Sequence, residues 1–413
     1  MPSRDETSPR SVVRLPLWPF VILVVLLVGM LVVWFGWRDT ILERRAVARL
    51  QRLPGVDLRR LGSRTDATPL KRLLAFSRVE PLGPIHSPIF TLSLEQPLPV
   101  AAIPDLGAIR HLHTITAKGH WFTDRHLAAL RTGDSLASLT LLDTSVTDTA
   151  LGQLAGLTRL ERIQLTGTPI DGSALATFAS LPKLHVLSLG RTRITDASLA
   201  HLAGMRSLVE LDLYLTPITD AAGPALARIP NLRKLSLDRT AIGDATLLAI
   251  SGRASRVWTT LSLRYTRVTS AGLSAAGLQA SNFLLAGTDL DDSVAPWLAG
   301  CHLVERLDLA HTRITDAGLV QLREMGDLWD IHLQHTAVTD HGVIGLLRGD
   351  PAVTGPLDTS DGLAAAIQSI RDRKQKPLLW VEPDELEGTG VSSALKAHLA
   401  AGRSPASANN RAR

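Results

Sequence analysis

Residues 184–208 read LHVLSLGRTRITDASLAHLAGMRSL, and the pattern returns with substitutions from about residue 89 to about residue 347. Its marker is a Thr, one residue, an Ile or Val, then usually Thr-Asp. The leading Thr falls at Thr144, Thr168, Thr192, Thr216, Thr240, Thr266, Thr288, Thr312 and Thr336. By subtraction the steps are 24, 24, 24, 24, 26, 22, 24 and 24. A fixed period in the twenties predicts a solenoid of stacked supersecondary units.

Within one period the apolar residues first alternate, as in a short half-buried strand. Leu187 and Leu189 are expected to point inward, with Ser188 and Gly190 outward. Ile194 turns in after the Thr. Thr195-Asp196 then sits where a helix must begin, since both are good caps and a carboxylate favours the positive helix start. Leu199 and Leu202 follow at helical spacing, and Met205 closes the turn. One repeat is therefore strand, corner, helix and return. None buries its apolar face alone, so only the stack is stable. The steps of 26 and 22 around Arg253 to Thr259 predict a kink or an altered loop, and Ser270 replaces the Asp there. At Gly172 the Asp is also missing, and Asp171 is expected to cap instead.

This pattern resembles the leucine-rich repeat family. LAGCHLVERLDLAHTRITDAGL at 298–319 is similar to the cysteine-containing repeats of F-box-type proteins, in its Cys301 and its Ile-Thr-Asp-x-Gly-Leu run. Most copies place Thr where that subfamily has Cys, and no F-box pattern is present. A Thr ladder behind an N-terminal apolar run also resembles planctomycete-type membrane-anchored leucine-rich repeat proteins. The resemblance implies an α/β solenoid with a curved parallel sheet, short convex helices and partner binding on the concave sheet face.

The chain ends carry different signals. Residues 15–37, LPLWPFVILVVLLVGMLVVWFGW, are uncharged and long enough to cross a bilayer, with aromatic residues at both ends. WFGWRDTI after the run offers no small-x-small cleavage site, so an uncleaved anchor is expected over a signal peptide. Arg4, Arg10 and Arg14 precede it; Arg38, Arg44, Arg45, Arg49 and Arg52 follow it. Both flanks are basic, so the positive-inside rule does not choose a side for the repeats. The formal charge of +5 is concentrated in such Arg-rich stretches, which points to an anionic membrane surface and away from a nucleic-acid groove. The expected organisation is a disordered N-terminus at 1–14, a transmembrane helix at 15–37 and a juxtamembrane amphipathic helix at 38–60. A linker and N-terminal cap at 61–88 lead into the array at 89–347, then a C-terminal cap at 348–401 and a disordered tail at 402–413. The cap is read as a helix at 360–371, a strand at 378–381 and a helix at about 391–400.

No catalytic set is expected. The sequence has no Gly-rich phosphate loop, no Gly-x-Ser-x-Gly elbow and no His-Glu-x-x-His. Asp148, Asp196, Asp220, Asp244, Asp292, Asp316 and Asp340 recur one per repeat and read as caps of their own helices. The Thr column reads as corner hydrogen bonding. Cys301 aligns with Leu157, Leu181, Met205, Ile229 and Met325, a core position that implies a buried, inert thiol. His311 and His335 share an outward position on neighbouring repeats, with Asp308 and Asp330 near them, but no metal or other cofactor is expected. The only two Tyr of the chain, Tyr214 and Tyr265, fall on the outward strand face beside Arg239 and Arg264. Tyr and Arg are enriched at binding hot spots. The expected contact surface is therefore Asp212, Tyr214, Asp238, Arg239, Arg264, Tyr265, His311 and His335. The function read from this is non-catalytic recognition of a protein partner by a single-pass membrane protein, with residues 15–37 in lipid. The alternative is a module that binds a glycan or cell-envelope polymer. Nothing in the residues sets an oligomeric state.

Overall fold

The computed structural model describes residues 42–61, 89–109, 112–129, 135–252, 257–347, 386–393 and 395–396, together with Met30. Twelve strands among these residues form one sheet, in chain order. They are β1 (Val56–Leu61), β2 (Ile89–Leu94), β3 (Leu112–Lys118), β4 (Ser138–Leu142), β5 (Arg162–Gln164), β6 (Val186–Ser188), β7 (Glu210–Asp212), β8 (Lys234–Ser236), β9 (Val257–Ser262), β10 (Gln279–Leu284), β11 (Arg306–Asp308) and β12 (Asp330–His332). All neighbours from β2 onward are parallel, while β1 runs antiparallel to β2. The register joins Thr140, Gln164, Ser188, Asp212, Ser236, Ser262, Leu284, Asp308 and His332 into one row across the sheet. Short helices of consecutive repeats touch one another in a second layer. Leu187, Leu189, Ile194, Leu199 and Leu202 are fully buried between the layers, and one apolar cluster runs from Leu50 to Leu395. Each buried Leu contributes about 1.5–3 kcal/mol relative to exposure.

The corner after each strand from β4 onward has a left-handed backbone. Asp143, Gly167, Arg191, Leu215, Arg239, Tyr265, Gly287, His311 and His335 have φ between 52° and 72°. Every non-glycine residue with positive φ among the described residues sits in this row. The conformation costs a non-glycine residue about 1–2 kcal/mol. It turns the N–H of that residue onto a carbonyl of the next repeat: Arg191 to Tyr214, Leu215 to Asp238 and Arg239 to Arg264 at 2.8 Å, Tyr265 to Ala286 and His311 to Gln334 at 2.7 Å. The Thr that follows is buried and donates its Oγ1 to the Leu carbonyl three residues back. These bonds measure 2.5–2.7 Å from Thr168, Thr192, Thr216, Thr240, Thr266, Thr288, Thr312 and Thr336. Thr144 is the exception, with a buried Oγ1 that has no partner.

The Asp column acts across repeats, which corrects the expectation that each Asp caps its own helix. Asp196 accepts from the Thr219 N–H at 2.8 Å and the Thr219 hydroxyl at 2.7 Å. Asp124, Asp244, Asp292 and Asp316 hold Thr147, Thr269, Thr315 and Thr339 in the same way. The Thr is the cap: Thr219, Thr269 and Thr315 accept from an N–H in the first turn of their own helices. The incoming carboxylate needs room, and Gly supplies it: a Cβ at Gly318 would lie 2.3 Å from Asp292 Oδ1, and one at Gly342 2.3 Å from Asp316 Oδ1. Where the preceding Asp is missing, at Gly172, the hydroxyl of Ser198 takes its place and accepts from the Thr195 N–H at 3.1 Å. Asp171 caps by accepting from the Ser173 N–H at 2.9 Å, as expected, but Asp148 of the previous repeat also holds that helix start through Asp171, Gly172 and Ala174.

Two other expectations change, and the kink or altered loop expected around 253–259 lies partly outside the described residues. The helix predicted through residue 60 spans 42–50, and Val56–Leu61 is strand. Ala46 and Leu50 are fully buried, and Arg49 pairs with Asp105 at 2.7 Å, so this helix and β1 close the first edge of the array. The steps of 26 and 22 do not break the sheet. Val257–Ser262 and Gln279–Leu284 are longer than most strands and pair along their length, with Trp258 buried. Finally, Leu386–Val391 is a further corner. Gly388 has φ of 69°, Thr389 donates to the Leu386 carbonyl at 2.6 Å, and Ser392 N–H reaches Asp340 at 2.7 Å. Thr336 to Thr389 is a step of 53 by subtraction, which hid this copy from the periodicity. The helix expected from residue 391 begins after Ser392. No helix among the described residues is long and apolar enough to cross a membrane. The run 15–37 lies outside the described residues apart from Met30. So do 1–14, most of the linker at 61–88, the expected helix at 360–371 and strand at 378–381, and the tail at 402–413.

The Asp–Gly pairing predicts a sign change. Asp292→Ala should cost about 1–2 kcal/mol by loss of two bonds to Thr315. Gly318→Ala alone should destabilise by about 1–3 kcal/mol through the clash. In the Asp292→Ala background most of that cost should vanish, because Ala outranks Gly in a helix by about 1 kcal/mol. Urea unfolding of the four proteins measures the coupling, and additive effects would contradict the pairing.

Candidate functional site

The strand face and the corner row beside it hold all eight residues singled out in the sequence, but in three separate sets of contacts. The first set is on the N-terminal side. Asp212 accepts from the Ser188 hydroxyl at 2.9 Å and from the Tyr214 N–H at 3.2 Å. Tyr214 lies over Gly190, where a Cβ would meet its ring at 2.1 Å.

The second set repeats that logic further along. Asp238 accepts from the Ser262 hydroxyl at 2.6 Å and the Arg264 N–H at 2.9 Å. Burial pushes the Asp238 carboxyl above its ordinary range, against those two bonds and the Arg264 charge. Arg264 in turn binds buried Asp308 through Nε at 2.9 Å and a terminal nitrogen at 2.8 Å. Asp330 is held by Arg306 at 2.5 Å and by His332 at 3.3 Å. Burial raises the Asp330 carboxyl, but His332 and Arg306 outweigh it and keep it below the usual range. These carboxylates bind the sheet face together across repeats. Asp308 and Asp330 are thereby committed.

The third set is the corner row. The Arg239 guanidinium sits 4.2 Å above the Tyr265 ring. Tyr265 leans over Gly287, where a Cβ would lie 2.3 Å from its ring, and reaches His311 with ring centres 6.1 Å apart. His311 and His335 stack at 4.4 Å with a 20° angle between planes. Leu215 precedes them in the row, 47% exposed, and Tyr265 is 41% exposed. Imidazole lone pairs lie in the ring plane, so two nearly parallel stacked rings do not converge on one tetrahedral ion. No group of three or more His, Cys, Asp or Glu is placed to hold a metal among the described residues.

Arg239 and Tyr265 therefore come together as the sequence reading proposed, while Arg264 turns to Asp308 and Tyr214 to Gly190. The stacked row itself was not foreseen. Its signal was present: Gly167 and Gly287 occupy the same column as Arg239 and Tyr265, marking a left-handed position. Elsewhere, His126 fills the helix start of the degenerate copy. Its Nδ1 accepts from the Thr123 N–H at 3.1 Å and its ring stacks on Phe122 at 5.0 Å. Burial, with Arg125 nearby, lowers its proton affinity. Cys301 is buried, and burial pushes its thiol up to about 11.

Residues 300–322, which contain β11 and the helix start at Asp316, match the family model described as Leucine Rich repeat. That stretch is one unit of an array whose strands, corners and helix starts recur in register across the described residues. No curated protein matches the chain. Similar solved structures include an internalin (inlF) from Listeria monocytogenes, 19% identical, covering 56% of this chain and 70% of that one, with a TM-score of 0.43. Another is the plant peptide hormone receptor RGFR1 in complex with RGF2, 14% identical, covering 61% and 48%, with a TM-score of 0.32. A third is a TLR13–ssRNA13 complex, 15% identical, covering 60% and 36%, with a TM-score of 0.43. The chain spans less than two thirds of the last two. At these scores the likenesses carry no argument about the chain.

The Cys301 environment is directly testable. At about pH 8, where an ordinary thiol is substantially ionised, iodoacetamide should leave the folded protein unmodified and label Cys301 once urea unfolds it. Rapid labelling of the folded protein would contradict the buried placement.

Proposed function

We propose that this chain is a non-catalytic recognition protein, tethered to a membrane through residues 15–37, that binds a protein partner along the corner row and adjoining strand face. One observation carries the reading. Leu215, Arg239, Tyr265, His311 and His335 present large side chains at a left-handed position where Gly167 and Gly287 stand without strain. Each costs about 1–2 kcal/mol there. Among the described residues, the heads of Arg239, Tyr265, His311 and His335 make no hydrogen bond or ion pair in return. Strain kept at exposed side chains without internal partners is the mark of a binding surface. The Asp and Thr columns, which a catalytic reading would need free, are spent on joining repeats.

The glycan reading is weaker on the same geometry. Stacking a sugar needs an open ring face, and Tyr265 has the Arg239 guanidinium over one face while Tyr214 lies against Gly190. The resemblance of the Cys301 repeat to F-box-type repeats, and of the Thr ladder to planctomycete-type anchored proteins, belongs to this proposal as well. The side of the membrane that carries the array follows from the partner's compartment.

Crosslinking capture from native membranes tests the reading. Arg239→Ala/Tyr265→Ala/His335→Ala should lose about tenfold or more of a partner captured by wild type, while Arg228→Ala, on the helix side, keeps it. Urea unfolding confirms that both variants fold. Equal capture by the folded triple variant and wild type would place recognition elsewhere.

A further inference from the structure

Charge is balanced at one end of the corner row and not at the other. Near its start, Arg191 reaches across Gly167 to Asp143 at 3.1 Å. From Arg239 onward the row reads Arg, Tyr, Gly, His, His, with no carboxylate in it. The acids around it are committed elsewhere. Asp238 is bound by Ser262 and by the Arg264 N–H, and Asp308 by Arg264. Asp289, two residues past Gly287, pairs with Arg313 at 2.6 Å. Asp330 pairs with Arg306 and with His332. At the far end Glu387 gives its carbonyl to the His335 N–H at 2.7 Å, and its exposed side chain is the one carboxylate flanking the histidine pair among the described residues.

We infer that Arg239, Tyr265, His311 and His335 form a donor row for a carboxylate-rich peptide segment of the partner, an inference that rests on the recognition reading above. Stacking covers ring faces and leaves the edges outward. The edges are a guanidinium, a phenol hydroxyl and two imidazoles. Together they offer N–H and O–H donors in a line, and charge-assisted bonds to carboxylates are the strong kind. The Tyr265 and His311 ring centres lie 6.1 Å apart, close to the roughly 6.8 Å at which same-side residues of an extended segment recur, while His311 and His335, 4.4 Å apart, can donate to a single carboxylate. Charge density separates the occupants. One fixed cation, Arg239, suits carboxylates, whereas a nucleic-acid or polyphosphate surface needs many. Gly287 is part of the device, because only a residue without Cβ lets Tyr265 lean across to His311.

The test uses the full chain in detergent and a fluorescent decaglutamate peptide, read by anisotropy. Wild type should bind at low ionic strength and weaken as salt screens the charges. His311→Ala/His335→Ala should weaken binding about tenfold by removing two donors. Arg239→Gln should weaken binding about tenfold. Gly287→Ala keeps all four heads but displaces Tyr265, and should also weaken binding. Arg228→Gln on the helix side should change nothing. No binding of decaglutamate at low ionic strength, equal binding by all variants, or preference for polyphosphate of equal charge would each overturn the inference. If decaglutamate fails but the triple variant still loses its captured partner, the acidic chemistry is wrong and recognition at the row stands. If both fail, both readings fall.

Discussion

The structure depends on a left-handed turn repeated at the end of each strand from β4 onward, closed by an N–H that reaches a carbonyl of the next repeat. The turn alone is unfavourable for any residue but glycine. The inter-repeat bond contributes about 1 kcal/mol net, which roughly offsets it. The Thr that follows secures the corner by binding the Leu carbonyl behind it. Local strain is therefore relieved only when the neighbouring repeat is in place. A solenoid built this way couples each unit mainly to the next, with the Arg264–Asp308 pair reaching one repeat further.

The same economy governs the helix starts. A Thr caps its helix, and an Asp of the preceding repeat holds that Thr. The glycine in Thr-Asp-x-Gly is then a consequence, since the preceding carboxylate fills the space a side chain would take. Ser198 and His126 show the rule from the other side. Where no carboxylate arrives, a side chain three residues past the cap supplies the acceptor. On the strand face, Asp212, Asp238 and Asp330 join neighbouring repeats by similar bonds, and Asp308 joins Arg264 two repeats away. The carboxylates in these two columns, which invite a catalytic or metal reading, are consumed in holding repeats together.

The periodicity of LxxLxLxxT made the strands, the inward leucines and the outward columns legible, because burial imposes one pattern on every copy. The handedness of the corner was not read, since Asp, Arg, Leu, Tyr and His in that column masked what Gly167 and Gly287 signalled. Nor was the direction of the Asp bonds: spacing places an Asp beside a helix start but does not tell which helix it serves. The alternation Val56, Leu58 against Asp57, Arg59 marked a strand that the Arg-rich helical pattern around it obscured. Gly388-Thr389-Gly390-Val391 repeats the corner, but at a distance that no multiple of 24 reaches. Within the binding surface, residue types pointed to Arg239 and Tyr265, while only geometry separated them from Arg264 and Tyr214.

Recognition in this account follows from the corner. Because the backbone there is held by the next repeat, large side chains can project from a rigid, strained position in a straight row. Native-state hydrogen exchange measures that claim most directly. The amides of Arg239, Tyr265 and His311 should exchange as slowly as those of the buried strand residues Leu235 and Leu307, although their side chains face solvent. Exchange at the rate of an open loop would mean that the corner is not held across repeats, and that the row is not a preformed surface.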